Sequence, residues 1–403
     1  MLVATKNAAV LTKLSDLLNG LQDRIGGRLP PALIIDDEAD QASLDTKTSQ
    51  RARNPDLDPG RINAMITDLR ARFLVPTYLQ VTATPQALFL QDIHHPYRPE
   101  FTILIEPHSG QGDHLIRSIP QDDLDKLLTG PGQYVPENVG QIPSSLQAAI
   151  SIFYVGSTIQ YLSQRAAGKV PELAYSFLCH ISQRKLDHDK ACGAIIAFCS
   201  YLRNGLSSSA SPAIRSEVED ALLSAYNDLK TTRPGHIRSV SFNDALVELR
   251  QYIVGTTVQI INSDKPQDQP QYSRRYNLLV GGTKLSRGVT IKNLLVTYYG
   301  REAKRTNMDT MLQHARMYGY RQADLDFIRL FVTPEIRERF RLISESEQGL
   351  RDVVEKYPGE EYRGIYIGKN LNPTRHNVLN ANNIGAYGGG HSYFPQRPLF
   401  LRD

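Results

Sequence analysis

Apolar positions first recur at helical spacing near the start of the chain. Leu11, Leu14, Leu17, Leu18 and Leu21 follow a short apolar opening in MLVATKNAAVLTKLSDLLNG. This spacing predicts a strand end followed by an amphipathic helix. The run PALIIDD predicts a buried parallel strand, and the polar, proline-bearing stretch from Thr46 to Gly60 predicts a loop. RINAMITDLRARF reads as a helix, TYLQVTATP as a strand closed by a proline turn, and FTILIEP as a further strand.

Between about Gly110 and Gly140 the text becomes rich in glycine, proline and aspartate, a plausible boundary. SSLQAAISIFYVGSTIQYLSQRAAG is then a long helix. LAYSFLCHIS opens a second alternation and is followed by helical text to about Gly255. TVQIINSD, YNLLVGG and NLLVTYY read as strands, NMDTMLQHARMYGY as a helix and FIRLFVT as a strand. PEIRERFRLISESEQGLRDVVEKY reads as a closing helix opened by its proline. The tail from Asn370 is irregular. Strands and helices alternate twice, which predicts an α/β chain with two parallel-sheet domains.

Composition narrows the class without naming an activity. The 403 residues are enough for two or three domains. A net charge of +4 is compatible with a polyanion partner but does not argue for one. Cys179, Cys192 and Cys199 lack C-x-x-C spacing and fit a reducing compartment. No signal pattern or membrane-length apolar run is present, so a soluble cytoplasmic protein is expected.

Four segments carry candidate chemistry. In LIIDDEADQAS, four acids in five positions follow an apolar run. In phosphoryl transfer to water, one strand-tip carboxylate holds the metal while a neighbour orients the attacking water. Asp37 and Glu38 are placed for those roles, flanked by Asp36 and Asp40. In VTATP, the hydroxyls of Thr82 and Thr84 can hydrogen-bond the acidic loop and a neighbouring domain. In GGTKLSRGVTI (Gly281 to Ile291), glycines let backbone N–H groups approach a phosphate, and Ser286, Arg287 and Gly288 add donors. In DTMLQHARMYGYR (Asp309 to Arg321), Gln313 and Arg316 share a helix face and Arg321 follows it. An arginine so placed can stabilise charge on a γ-phosphate. Each segment taken alone also fits a plain structural role: a solvated loop, a strand end, a glycine turn or a surface helix.

Taken together, their order is that of superfamily-two helicase motifs II, III, V and VI. The wording resembles the Z-one (Z1) domain family, which carries an endonuclease label and a helicase-like core in bacterial restriction and phage-defence systems. LIIDDEADQAS, TATP, VGGTKLSRGVT, DTMLQHARMYGYR and the strand-end histidine of SFLCHISQRKLDH carry the resemblance, which runs to about Thr333. It implies two RecA-like lobes: a partial first lobe over residues 1–115, a helical connection over 116–170, a second lobe over 171–345 and a C-terminal extension over 346–403. It also implies Mg2+ and ATP as cofactors, bound between the lobes, and DNA as a partner. Asp37 and Glu38 would serve the metal. Glu38, Arg316 and Arg321 would be catalytic, and Asp37, Thr82, Thr84 and Gly288 would lie against the cofactor. Lys284, Ser286 and Arg287 would meet nucleic acid.

One part is missing from the sequence. A nucleotide site needs a phosphate loop of the form G-x-x-x-x-G-K-[ST] or a close variant, and none occurs. In the resembled family that loop lies upstream, so an upstream segment or a partner subunit is expected to supply it. The rival reading is a module that binds DNA or a partner and hydrolyses nothing. A true nuclease is a third reading, although no nuclease core is evident. Spacing in Cys179, His180, His188, Cys192 and Cys199 matches no zinc pattern. YSRRYN and ARMYGYR interleave aromatic and basic residues and could line a nucleic acid strand. Tyrosines packed between sheet and helices fit the same text.

Overall fold

The computed structural model describes residues 1–41, 43–54, 56–89, 91, 95–105, 115–131, 133–232, 240–262, 269–282, 291–301, 307–308, 310–311 and 324–356. The chain divides into two compact units, formed mainly by Met1–Thr102 and Ile103–Asp352.

In the first unit the helix α1 (Ala8–Ile25) begins where the Asn7 side chain accepts the Val10 N–H. It ends at Gly26, whose φ of 72° a glycine adopts without strain. Leu11 and Leu18 are buried on this helix, while Leu17 and Leu21 are exposed. Two parallel strands follow, β1 (Ala32–Asp37) and β2 (Pro76–Val81), in register from Ala32 opposite Pro76 to Asp37 opposite Val81. Between them lie the short helix α2 (Thr48–Arg51) and the helix α3 (Arg61–Ala71), and α4 (Gln86–Phe89) comes after β2. Ile34 and Tyr78 point to the helix-covered side and pack with apolar residues there. On the opposite side, Leu33, Ile35, Leu79 and Val81 are exposed, whereas parallel sheets are ordinarily covered on both faces.

Two strand expectations differ from the structure. Met1–Thr5 is not in a strand, and Phe101–Ile105 forms no strand although it alternates. A strand needs a neighbour to satisfy its backbone groups, and among the described residues neither segment has a paired one.

The second unit contains a six-stranded sheet of parallel strands in the order β3-β8-β7-β4-β6-β5. These are β3 (Ile116–Ser118), β4 (Tyr175–His180), β5 (Thr257–Ile261), β6 (Tyr276–Gly281), β7 (Leu294–Tyr299) and β8 (Arg329–Val332). Helices α5 (Gln121–Thr129), α6 (Ser144–Ala166), α7 (Lys185–Leu206), α8 (Pro212–Thr232), α9 (Phe242–Tyr252) and α10 (Pro334–Lys356) accompany them. Phe177, Cys179, Leu278, Val280, Val296 and Tyr298 share one core with residues of α6, α7, α8 and α9. Tyr299, Leu330 and Val332 cluster with Ile336, Phe340 and Ile343 of α10. The adjacent Tyr298 and Tyr299 of β7 thus enter different clusters, as side chains on opposite faces of a strand do.

The segment read as a helical connection is built into this unit. β3 pairs with β8 at the sheet edge, and α6 is buried from Ser145 to Gln160 except at Gln147 and Ala148. Arg117 of β3 and the fully buried Arg329 of β8 both donate to Asp228 of α8, which joins the sheet edge to its helical layer. The result is an α/β fold. Among the described residues, no helix is long and apolar enough to cross a membrane.

Candidate functional site

The acids of LIIDDEADQAS do not act as one cluster. Alternation along β1 turns Asp36 to the covered side and leaves Asp37 and Glu38 exposed, while Asp40 is buried in the following turn. Asp36 takes the Lys6 ammonium at 2.8 Å and the Tyr78 hydroxyl. Burial and then the adjacent Asp36 carboxylate push the Tyr78 pKa far above its ordinary value, so this hydroxyl stays a donor.

Asp40 accepts from both threonines of VTATP. Thr82 Oγ1 donates to Oδ1 at 2.6 Å and Thr84 Oγ1 to Oδ2 at 2.8 Å. The Thr84 N–H donates to Thr82 Oγ1 at 3.0 Å, which ties the two hydroxyls together. The expectation that these hydroxyls bond the acidic loop thus matches the geometry, and it engages them with protein oxygens.

Asp37 and Glu38 therefore present the solvent-facing carboxylates of the turn. Asp37 Oδ1 accepts the Glu38 N–H at 3.0 Å, and Glu38 Oε2 accepts Gln41 Nε2 at 2.8 Å. Glu38 has a φ of 54°, in the left-handed region, where a non-glycine residue is held at some cost. The Ala39 N–H bonds the Val81 carbonyl at 3.1 Å and anchors the turn to the end of β2. Just beyond, Asp45 accepts from the Gly60 N–H, the Lys47 N–H and Arg51. Burial acts to raise its pKa, but these donors outweigh it and hold the carboxyl below its ordinary value.

Two exposed carboxylates suit Mg2+, which takes one or two protein carboxylates and completes its shell with water and phosphate oxygens. Among the described residues, no group of three or more histidine, cysteine or acidic side chains could hold a metal by itself.

In the second unit, the ends of β4, β6 and β7 bring His180, Gly281 and Gly300 to the same edge of the sheet. His180 is fully buried, with Arg301 Nη1 3.3 Å from its Nε2 and the Tyr299 ring edge-on at 5.4 Å. His188, in the first turn of α7, spans three strand ends. Its Nδ1 meets Asn262 Oδ1 at 2.5 Å and its Nε2 meets the Ser182 carbonyl at 2.8 Å. A Cβ on Gly282 would lie 3.0 Å from the same ring, closer than an ordinary Cβ contact, so glycine suits the close approach there. Lys284, Ser286, Arg287, Gly288, Gln313, Arg316 and Arg321 lie outside the described residues.

YSRRYN has an interior role for two of its residues. Arg275 lies over the Tyr161 and Tyr252 rings at 3.8 and 3.7 Å and pairs with Glu248, and Tyr276 is fully buried. The three thiols are reduced, and burial raises the pKa of each, the largest effect for all three. Such thiols are poor nucleophiles.

Sequence reading missed Lys6 and Tyr78, and it weighed His188 only as a zinc ligand. Lys6 sits thirty residues before Asp36, and only the chain's path brings them together. Tyr78 could have been found from its place in a strand that pairs with the acidic one.

Comparison with curated proteins and with solved structures gives no match. The family model of the Z1 domain matches residues 145–379. The match begins within α6, takes in β4 to β8, and leaves the acidic strand tip outside it. It spans more than half of the 403 residues, and the chain belongs to the Z1 domain family.

Proposed function

We propose that this Z1 chain is a helicase-like nucleoside triphosphatase core that acts on DNA in restriction or phage defence, with its magnesium–nucleotide site at the β1 tip. The observation that supports this most is the sorting of the four acids. Asp36 is tied to Lys6 and Tyr78, Asp40 to Thr82 and Thr84, and Asp37 and Glu38 face solvent on a rigid turn. A strand tip that turns two carboxylates to solvent beside two buried ones has a form suited to phosphoryl transfer to water.

In this reading Mg2+ neutralises charge on the phosphates when bound. Asp37 and Glu38 would hold the metal, and Glu38 would also orient the attacking water. Thr82 and Thr84 couple the β2 end to that turn through Asp40. Arg316 and Arg321 are assigned to the γ-phosphate, Gly288 to the cofactor, and Lys284, Ser286 and Arg287 to the DNA backbone. The endonuclease label of the resembled family belongs to this reading only as a property to be assayed.

The sequence holds no G-x-x-x-x-G-K-[ST], so in this reading the phosphate loop comes from an upstream segment or a partner subunit. That same observation favours the second reading, a DNA- or partner-binding module without hydrolysis. The two are separated by measuring DNA-stimulated ATP hydrolysis on residues 1–403 and on the same chain extended by the sequence encoded directly upstream of Met1. The triphosphatase reading expects little turnover from 1–403 and turnover from the extended chain. No turnover from either, with DNA binding intact, favours the module. Robust turnover by 1–403 that Glu38→Gln abolishes would mean that a phosphate-binding loop has gone unrecognised.

A further inference from the structure

Four oxygens surround the Lys6 ammonium at the tip of β1. Asp36 Oδ1 lies at 2.8 Å, the Asp37 carbonyl at 2.5 Å, the Glu38 carbonyl at 2.7 Å and Ser43 Oγ at 3.2 Å. These are ammonium–oxygen distances. Mg2+ needs about 2.0–2.1 Å and Ca2+ about 2.3–2.6 Å, so the cage is too wide for either. Lysine, a compact charge with three donors on a flexible stem, fits it. The lysine side chain is 23% exposed and the Asp36 side chain 5%, so the cage is polar and partly buried.

The geometry also says what the ammonium does. The carbonyls of Asp37 and Glu38 bracket the residue whose φ is 54°. The Glu38 carbonyl accepts the Gln41 N–H as well, at 3.1 Å. Without a cation, these oxygens would converge with a carboxylate and a hydroxyl oxygen around an empty centre. That arrangement is unfavourable in a partly buried setting.

We propose that Lys6 is the built-in cation of this turn, a positioning residue that holds Asp37 and Glu38 in place, and that a small monovalent cation can take its position when the side chain is removed. The inference concerns the turn itself and stands whether or not nucleotide binds there.

The test is hydrogen exchange of peptides covering residues 36–43 in the full 1–403 chain without nucleotide. Unmutated protein, Lys6→Ala and Lys6→Met are compared in ammonium chloride and in tetramethylammonium chloride at equal ionic strength. Tetramethylammonium is too bulky to enter the cage and cannot donate a hydrogen bond. Lys6→Ala is expected to exchange about tenfold or more faster than unmutated protein in tetramethylammonium, the scale of losing charge-assisted hydrogen bonds. Ammonium should restore most of the protection. Lys6→Met fills the space with a neutral chain and should exchange fast in both salts, while unmutated protein should not distinguish them. A Lys6→Ala chain whose first unit unfolds in tetramethylammonium and refolds in ammonium supports the same assignment. Slow exchange of Lys6→Ala in tetramethylammonium would overturn it. So would fast exchange, or unfolding, that is equal in both salts.

Discussion

Thr84 donates its hydroxyl to Asp40 Oδ2 at 2.8 Å, across 44 positions of chain, while Thr82 holds the other oxygen of the same buried carboxylate. The tips of two adjacent parallel strands are thereby joined through one side chain, and the exposed pair Asp37 and Glu38 sits on that joint. Thr82→Val and Thr84→Val each keep the shape and remove one donor from Asp40. Each is expected to destabilise the first unit by about 1 to 3 kcal/mol, the cost of under-satisfying a buried acceptor. Hydrogen exchange of β1 and β2 peptides reads this directly. Unchanged protection in both variants would show that the hydroxyls do not hold the turn.

Acid should loosen the second unit through Asp228. Burial acts to raise its pKa, but the guanidinium groups of Arg117 and Arg329 outweigh that and hold it below the ordinary 3.8. A carboxyl with a depressed folded-state pKa contributes stability above its unfolded value and loses it as pH falls toward the folded one. The decline is thus expected below about pH 4. Asp228→Asn should flatten it and, by leaving Arg329 buried without its carboxylate, cost roughly 3 kcal/mol at neutral pH. Thermal unfolding across pH checks both parts. A variant with the acid profile and neutral stability of unmutated protein would contradict them.

Much of the second unit is legible in the sequence alone. The strands β4, β6, β7 and β8 are buried on both faces and stand where the pattern places them. The place of Thr82 and Thr84 at a strand's end also points to hydroxyls that can meet the acidic turn. Other features depend on tertiary partners. β3 has three residues, too few to show a period, and it is a strand because β8 pairs with it. FTILIEP alternates like a strand, yet no neighbouring strand pairs with it among the described residues. Leu17 and Leu21 match the helical repeat but are exposed, since only part of the stripe on α1 meets the rest of the unit. Lys6 carries no local signal at all, because its four acceptors come from the far end of a strand and the turn beyond it.

If Arg287 meets backbone phosphate as proposed, Arg287→Ala should weaken binding about equally for unrelated DNA sequences. It should also lower the salt slope of log K by roughly one unit. Titrations at several salt concentrations measure both, and an unchanged slope would remove this residue from the DNA surface.

If the arginines of DTMLQHARMYGYR meet the γ-phosphate as proposed, they separate binding from chemistry. In the upstream-extended chain, Arg316→Ala and Arg321→Ala should each bind nucleotide but lose about a thousandfold or more in kcat, as for a residue that meets charge developing in the transition state. Steady-state rates together with nucleotide titration decide it. Two variants that hydrolyse at the unmutated rate would leave these arginines as surface charge.

The most direct measurement is ATP hydrolysis by the upstream-extended chain carrying Glu38→Gln. This substitution preserves size and the contact with Gln41 while removing the carboxylate assigned to the attacking water. The account predicts a fall in kcat of about a hundredfold or more, the scale of a lost general base, with nucleotide affinity unchanged. Hydrolysis at the unmutated rate in Glu38→Gln would contradict it, because the carboxylate assigned to the attacking water would then have no part in the chemistry.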